Sequence, residues 1–269
     1  MSDFTVVNSF PRTETYGAIT GSTSGTSVTS GASANTRGSW VELTPATGIA
    51  CSSFVVSISD ISKAGWFAID IGIGASGSEQ VIVEGIYARC QSLTRSNVTT
   101  YDLQIKIPLG ARVAVRAWGE VATTVGKVII TGMSGGPESV SYAQLEHMGF
   151  IGGNYGGYSA NTKGSWFEVF TTLKSYKAIH LTYVLMDFDA TGNTTVFFDV
   201  GLGPLGSELV IVNNLCTAAM VASAQYMYSW QNFKVVGGLP SGSRLSVRTQ
   251  TSSAASVNKF WGFAIHGYT

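Results

Sequence analysis

The residues that could do chemistry come in pairs. Asp70 and Asp199 sit at the same place in two similar stretches, Phe67-Ala68-Ile69-Asp70-Ile71-Gly72-Ile73-Gly74 and Phe197-Phe198-Asp199-Val200-Gly201-Leu202-Gly203, and Glu79 and Glu208 close the turns that follow. Two carboxylates facing one another across a cleft would suit glycoside hydrolysis. Here each member of a pair lies in its own copy of a repeat, so the members are expected in separate domains. A carboxylate beside a Gly-rich turn more often hydrogen-bonds local backbone amides. Gly72, Gly74 and Gly77, like Gly201, Gly203 and Gly206, also spell the dinucleotide fingerprint G-x-G-x-x-G. That fingerprint needs a helix N-terminus to receive the pyrophosphate. Glu79-Gln80-Val81-Ile82-Val83 and Glu208-Leu209-Val210-Ile211-Val212 follow instead. These read as strands, which predicts Gly-rich turns and no cofactor.

The remaining reactive groups form no constellation. His147, His180 and His266 are the only histidines, and none has a counterpart in the other copy; no H-E-x-x-H, G-x-S-x-G or Cys/His pairing appears. Cys51, Cys90 and Cys216 are odd in number and fall at non-equivalent places, which argues against a disulfide framework or a repeated metal site and reads as small buried apolar residues. No catalytic, cofactor-binding or metal-binding residue is assigned, and the chain is expected not to be an enzyme. Arg112 with Arg116, and Arg244 with Arg248, would share one strand face, either as a guanidinium pair for an anion or as a solvated face whose stems cover apolar neighbours. Tyr226, Tyr228 and Trp230 alternate on what reads as one strand and are absent from the other copy. With Tyr155 and Tyr158 they are the candidate surface for stacking on a glycan or for a protein interface, the alternative being a locally larger core.

What positions these residues is a duplication. Ser33-Ala34-Asn35-Thr36-Arg37-Gly38-Ser39-Trp40-Val41-Glu42 returns as Ser159-Ala160-Asn161-Thr162-Lys163-Gly164-Ser165-Trp166-Phe167-Glu168. Pro108-Leu109-Gly110-Ala111-Arg112-Val113-Ala114-Val115-Arg116 returns as Pro240-Ser241-Gly242-Ser243-Arg244-Leu245-Ser246-Val247-Arg248, and Ile130-Thr131-Gly132 as Ile265-His266-Gly267. The offset grows by three residues between successive blocks, so insertions fall in loops. Two domains follow, 1–135 and 136–269, each long enough to bury a core unaided. Short β-branched runs near 38–43, 52–59, 65–72, 80–88, 101–107, 112–119 and 126–133, with an eighth near 4–10, predict an all-β fold of two tandem sandwiches or jelly rolls. The shared Trp40 and Trp166 are assigned to packing. Pro-x-Gly-x-Arg reads as a hairpin entry, and Glu138 to His147 is the one stretch with helical character.

Composition narrows the partners. Charged residues make up 12% and the formal net charge is zero, which removes the footprint of a nucleic-acid or anionic-membrane binder. No window approaches a membrane span and the N-terminus has no signal-like pattern, so a soluble protein made in a cytoplasm is expected. From Gly17 to Gly38 the chain is mostly Gly, Ser and Thr. Such an arm is expected to be ordered only by lying against something, and a neighbouring subunit is the simplest candidate.

Gly-Ser-Trp-x-Glu, the D-[IV]-G-[IL]-G-x-x-G-S-E turn and P-x-G-x-R-[LV]-[AS]-V-R, present in both halves, resemble the β-sandwich modules of virion structural proteins of tailed bacteriophages. The resemblance implies a non-enzymatic particle component, a head decoration or spike or part of a tail or fibre, often arranged as trimers or rings. It implies other virion proteins as partners and the virion as location, and it carries over no functional residues. Two functions compete: subunit assembly, and a lectin-like module in the second half that recognises a host surface glycan. A polysaccharide depolymerase would need an acid and a base carboxylate in one cleft.

Overall fold

The computed structural model describes residues 12–18, 25–90, 98–135, 142–154, 161–187, 194–222, 225–227, 229–251 and 259–269. The chain divides into two compact units, Met1–Glu146 and His147–Thr269, a boundary beyond the one read near residue 135. Among the described residues every regular element is a strand, and no helix is long and apolar enough to cross a membrane.

In the first unit the strands are β1 (Arg12–Tyr16), β2 (Thr26–Thr29), β3 (Val41–Thr44), β4 (Ser53–Ser59), β5 (Gly65–Ile73), β6 (Gln80–Cys90), β7 (Thr99–Leu103), β8 (Val113–Gly119) and β9 (Val125–Ser134). One sheet runs β1-β9-β4-β7 with β2 also paired to β9, and the other runs β6-β5-β8-β3. Alternation explains the sandwich: Phe54, Val56 and Ile58 on β4 are fully buried while their neighbours are not. A Cβ on Gly126 of β9 would meet the Phe67 ring of β5 at 2.6 Å, so the two sheets touch through that glycine. All seven strands expected between residues 38 and 133 are present within a few residues of their predicted ends.

The second unit repeats this plan. After β10 (Leu145–Asn154) come β11 (Phe167–Thr171), β12 (Tyr176–Asp187), β13 (Thr194–Leu202), β14 (Leu209–Ala222), β15 (Gln225–Met227), β16 (Ser229–Leu239), β17 (Arg244–Thr251) and β18 (Lys259–Tyr268). The order β10-β18-β12-β16 mirrors β1-β9-β4-β7, and β14-β13-β17-β11, with β15 added outside β14, mirrors β6-β5-β8-β3. Its core draws Ile179, Leu181 and Tyr183 from β12 and Phe263 and Ile265 from β18 on one side, against Phe198, Val200, Leu245 and Val247 on the other.

Four expectations are corrected. The Gly/Ser/Thr-rich arm lies in its own unit: β1 and β2 both pair with β9, and Tyr16 and Val28 are buried there. Tyr16 just before the arm and Val28 within it are the large buried side chains that tie its described residues to this sheet. The helical reading of Glu138 to His147 fails where the structure describes it, since Leu145 onward is strand. Residues 4–10 and 136–141 lie outside the described residues. Pro108–Ala111 and Pro240–Ser243 are tight turns, with Gly110 at φ 75 and Gly242 at φ 79, but they join strands of opposite sheets and are therefore not hairpins. Cys51 and Cys90 are buried as expected, but Cys216 is exposed.

Candidate functional site

Asp70 and Asp199 have no exposed side-chain surface, and each is enclosed by two cations and a backbone amide. In the first unit the Asp70 carboxylate accepts from Arg37 Nε at 2.7 Å, Arg116 Nε at 2.8 Å and the Gly85 amide at 3.0 Å. In the second, Asp199 accepts from Lys163 Nζ at 2.6 Å, Arg248 Nε at 2.8 Å and the Asn214 amide at 2.9 Å. The amide donors sit on left-handed residues, Gly85 at φ 63 and Asn214 at φ 55, which turns each N–H toward the carboxylate. Arg116 lies over the Trp40 ring, 4.6 Å from its centroid, and Arg248 over Trp166 at 4.5 Å. The tryptophans in turn rest on glycines, because a Cβ on Gly72 would come within 2.9 Å of Trp40 and one on Gly201 within 2.8 Å of Trp166.

A second ionic group adjoins each cage. Arg112 donates to Glu42 at 2.7 Å, Glu79 at 2.9 Å and the Gly74 carbonyl at 3.2 Å, and Arg244 donates to Glu168, Glu208 and the Gly203 carbonyl at 2.8, 2.9 and 3.2 Å. Glu79 and Glu208 also accept from the amides of Gly77 and Gly206 within the Gly-rich turns. Those turns join antiparallel strands, β5 to β6 and β13 to β14, as the sequence predicts. The arginines cover apolar neighbours as one reading expected, Arg116 over Trp40 and Arg248 over Trp166, but the solvated face and the open anion site are both corrected. They share a strand face, but that face is closed by ion pairs and is neither solvated nor open to an anion: the side chains of Arg112 and Arg116 are 16% and 25% exposed.

These contacts keep Asp199, Glu208 and Glu79 charged. Burial alone would push the Asp199 carboxyl up; the bonds from Lys163, the Asn214 amide and Arg248 outweigh it and leave the group below the ordinary aspartate range. Burial acts the same way on Glu208 and Glu79, and there too arginine and backbone donors prevail, so both lie below the usual glutamate range. Each of these groups is held in its ionised form by the cations and amides around it.

Of the aromatic candidates, Tyr226 and Trp230 lie on described strands. Tyr226 is on β15, paired with β14 opposite Val221, and Trp230 is on β16, paired with β12 opposite Val184. These strands belong to different sheets, so the chain changes sheet within the stretch that reads as one alternating strand. Tyr228, Tyr155 and Tyr158 lie outside the described residues.

Sequence reasoning missed one cluster. His180 on β12 stands opposite His266 on β18, the His147 and His266 rings are 5.2 Å apart, and the Tyr268 hydroxyl is 3.3 Å from His180 Nδ1. All three histidines meet in the second unit although none is equivalent by the repeat; only strand register brings them together. Among the described residues no group of three or more His, Cys, Asp or Glu is arranged to hold a metal ion.

No protein-family model matches the chain, and no curated protein matches it. Among solved structures it is similar to the N-terminal CBM22-1-CBM22-2 tandem domain of Paenibacillus barcinonensis Xyn10C, at 10% identity over 96% of this chain and 91% of that one, with a TM-score of 0.27. It is also similar to the PBSX exported protein XepA, at 10% identity over 94% of this chain and 86% of that one, with a TM-score of 0.24. At scores this low the likeness carries no argument, and the fold rests on the strand order of the chain itself.

Proposed function

We propose that the chain is a non-enzymatic structural protein of a tailed-phage particle, in its head decoration or spike or in its tail or fibre, where it assembles with copies of itself as a trimer or ring and with other virion proteins. The observation that carries the non-enzymatic reading is the repeated cage. The carboxylates of the shared motifs are enclosed by cations in both units alike, so the ionic groups obey the repeat, whereas catalysis needs groups poised to give and take a proton.

The particle reading draws on the motif resemblance and on an asymmetry of the surface. Leu205 and Leu209 are 74% and 69% exposed where the first unit has Ser76 and Gln80, and Leu173, which follows Thr172 as Gly48 follows Thr47, is 86% exposed. Thr172 bonds the Pro240 turn as Thr47 bonds the Pro108 turn, which fixes that equivalence. The first unit exposes one such side chain in its matching turn, Leu109 at 66% where the second has Ser241, so the second unit presents the larger apolar set, which suits contact with another protein. Glycan recognition by the second unit's aromatic stretch has less support, because Tyr226 and Trp230 stand in different sheets.

The test is quantitative mass spectrometry of purified particles together with light scattering of the purified protein. The expected result is incorporation at a copy number matching a symmetric assembly, and an oligomer in solution. Absence from particles, or a polysaccharide-cleaving activity of the purified chain, would overturn the proposal.

A further inference from the structure

We infer that the first unit binds a neutral polyhydroxylated ligand, a saccharide, in the open cleft of about 560 Å³ beside Arg37. This rests on the cleft alone and stands or falls separately from particle assembly. The volume lies within the range of small-molecule sites, about 300–1,000 Å³.

The walls are built by the loop between β2 and β3, and they are fixed in place. Gly31 N donates to the Thr36 carbonyl at 2.9 Å, Asn35 N to Gly119 at 2.7 Å and Gly38 N to Ala117 at 2.8 Å. A Cβ on Gly31 would overlap Thr36, and one on Gly38 would overlap the Thr29 carbonyl, so the loop packs closely on itself at both glycines. A wall that is already ordered loses little entropy when a ligand arrives. The exposed hydroxyls of Thr29 and Ser39 line the cleft together with the small Ala32, and no aromatic ring lines it. Its recognition chemistry is therefore hydrogen bonding rather than stacking.

The donor that distinguishes this cleft is Arg37, and comparison with the second unit shows why. Lys163 occupies the equivalent position. Its ammonium has three N–H groups and meets three acceptors, Asp199 Oδ1, Asp199 Oδ2 and Asn214 Oδ1, each at 2.6 Å, so it has none left over. A guanidinium has five N–H groups. Arg37 uses one on Asp70 through Nε and one on Glu84 through Nη2, at 2.7 and 2.9 Å, while its side chain remains 43% exposed. Donors thus remain for a ligand in the cleft, held in a fixed plane by two ion pairs.

Charge selects the class of ligand. Arg37 and Arg116 are balanced by Asp70 and Glu84, so the cage is neutral and exerts no net pull on an anion. Sugar hydroxyls accept from the guanidinium and donate to the loop's oxygen atoms, which matches a neutral saccharide.

The test is an amide chemical-shift titration of the ¹⁵N-labelled full chain with glucose, galactose, N-acetylglucosamine and rhamnose, and with galacturonate as the acidic probe. Saturable shifts confined to residues 29–41 with at least one neutral sugar are expected. Arg37→Lys installs the residue that the second unit already tolerates in its cage, so it should keep the amide spectrum of the fold and weaken binding at least tenfold. Ala32→Tyr fills the cleft without touching the ion pairs and should do the same. The inference is overturned if no neutral sugar shifts these amides, if only galacturonate does, or if Arg37→Lys and Ala32→Tyr bind as the parent does.

Discussion

Replacing Asp199 with Asn tests the cage directly. The substitution keeps the shape of the side chain and one acceptor for the Asn214 amide but removes the charge shared by Lys163 and Arg248. Breaking a buried ion pair by removing one partner costs about 3–5 kcal/mol, because the charge left behind is uncompensated. Here the two cations retain 28% and 26% of their side-chain exposure and can partly rehydrate. The cost should therefore fall to about 2–4 kcal/mol, or roughly a 30- to 700-fold increase in opening. Hydrogen exchange read by mass spectrometry resolves this by strand: β13 and β17 should lose that much protection, with β5 and β8 as the internal reference. The pH dependence carries a sign as well. Because the folded Asp199 carboxyl lies below its unfolded value of about 3.9, its contribution is complete above that pH and is lost as pH falls through the folded value. The parent should lose protection in β13 as pH drops below about 4, and Asp199→Asn should have lost it already at neutral pH. A loss below about 1 kcal/mol, or an unchanged acid profile, would refute the reasoning.

Gly201→Ala should destabilise the second unit by about 1–3 kcal/mol, since the new methyl would sit 2.8 Å from Trp166 and 2.9 Å from the Glu208 Cβ; denaturant unfolding followed by tryptophan emission measures it, and a neutral effect would show that Trp166 does not press on this strand. Asn161, at φ 59, should accept Gly with little change but lose about 1 kcal/mol as Ala, read by the same unfolding curves. A thiol reagent added to native protein should modify Cys216 first, because Cys51 and Cys90 are buried and burial, partly offset by the Tyr16 hydroxyl, pushes the Cys51 thiol up. Peptide mapping that finds Cys51 labelled as fast as Cys216 would contradict the burial.

The strands from residue 38 to 133 were legible because β-branched alternation survives duplication, and repeated turns marked their ends. Every member of the cages except Glu84, Gly85 and Asn214 belongs to a motif that the repeat singles out. What the sequence did not disclose is who meets whom: Arg37 and Asp70 are 33 residues apart, and only the approach of the β2–β3 loop to β5 joins them. The order of the arm's described residues was not legible because composition weighs every residue alike, whereas a few buried side chains such as Val28, and the β2–β9 pairing, hold them. The strand assignment of the aromatic stretch was hidden for a related reason. Alternation describes a strand but does not say where that strand leaves its sheet, and the step from β15 to β16 separates Tyr226 from Trp230. The histidine cluster depends on register between β12 and β18, which no local pattern encodes.

A carbon-detected NMR titration of the side-chain carboxyls reports most directly on whether the ionic groups hold the fold or do chemistry. Asp199 and Glu208 should each ionise below the ordinary values of about 3.9 and 4.3, as anchors bound by cations do. Either of them titrating between about pH 5 and 7, the range of a general acid, would contradict the account.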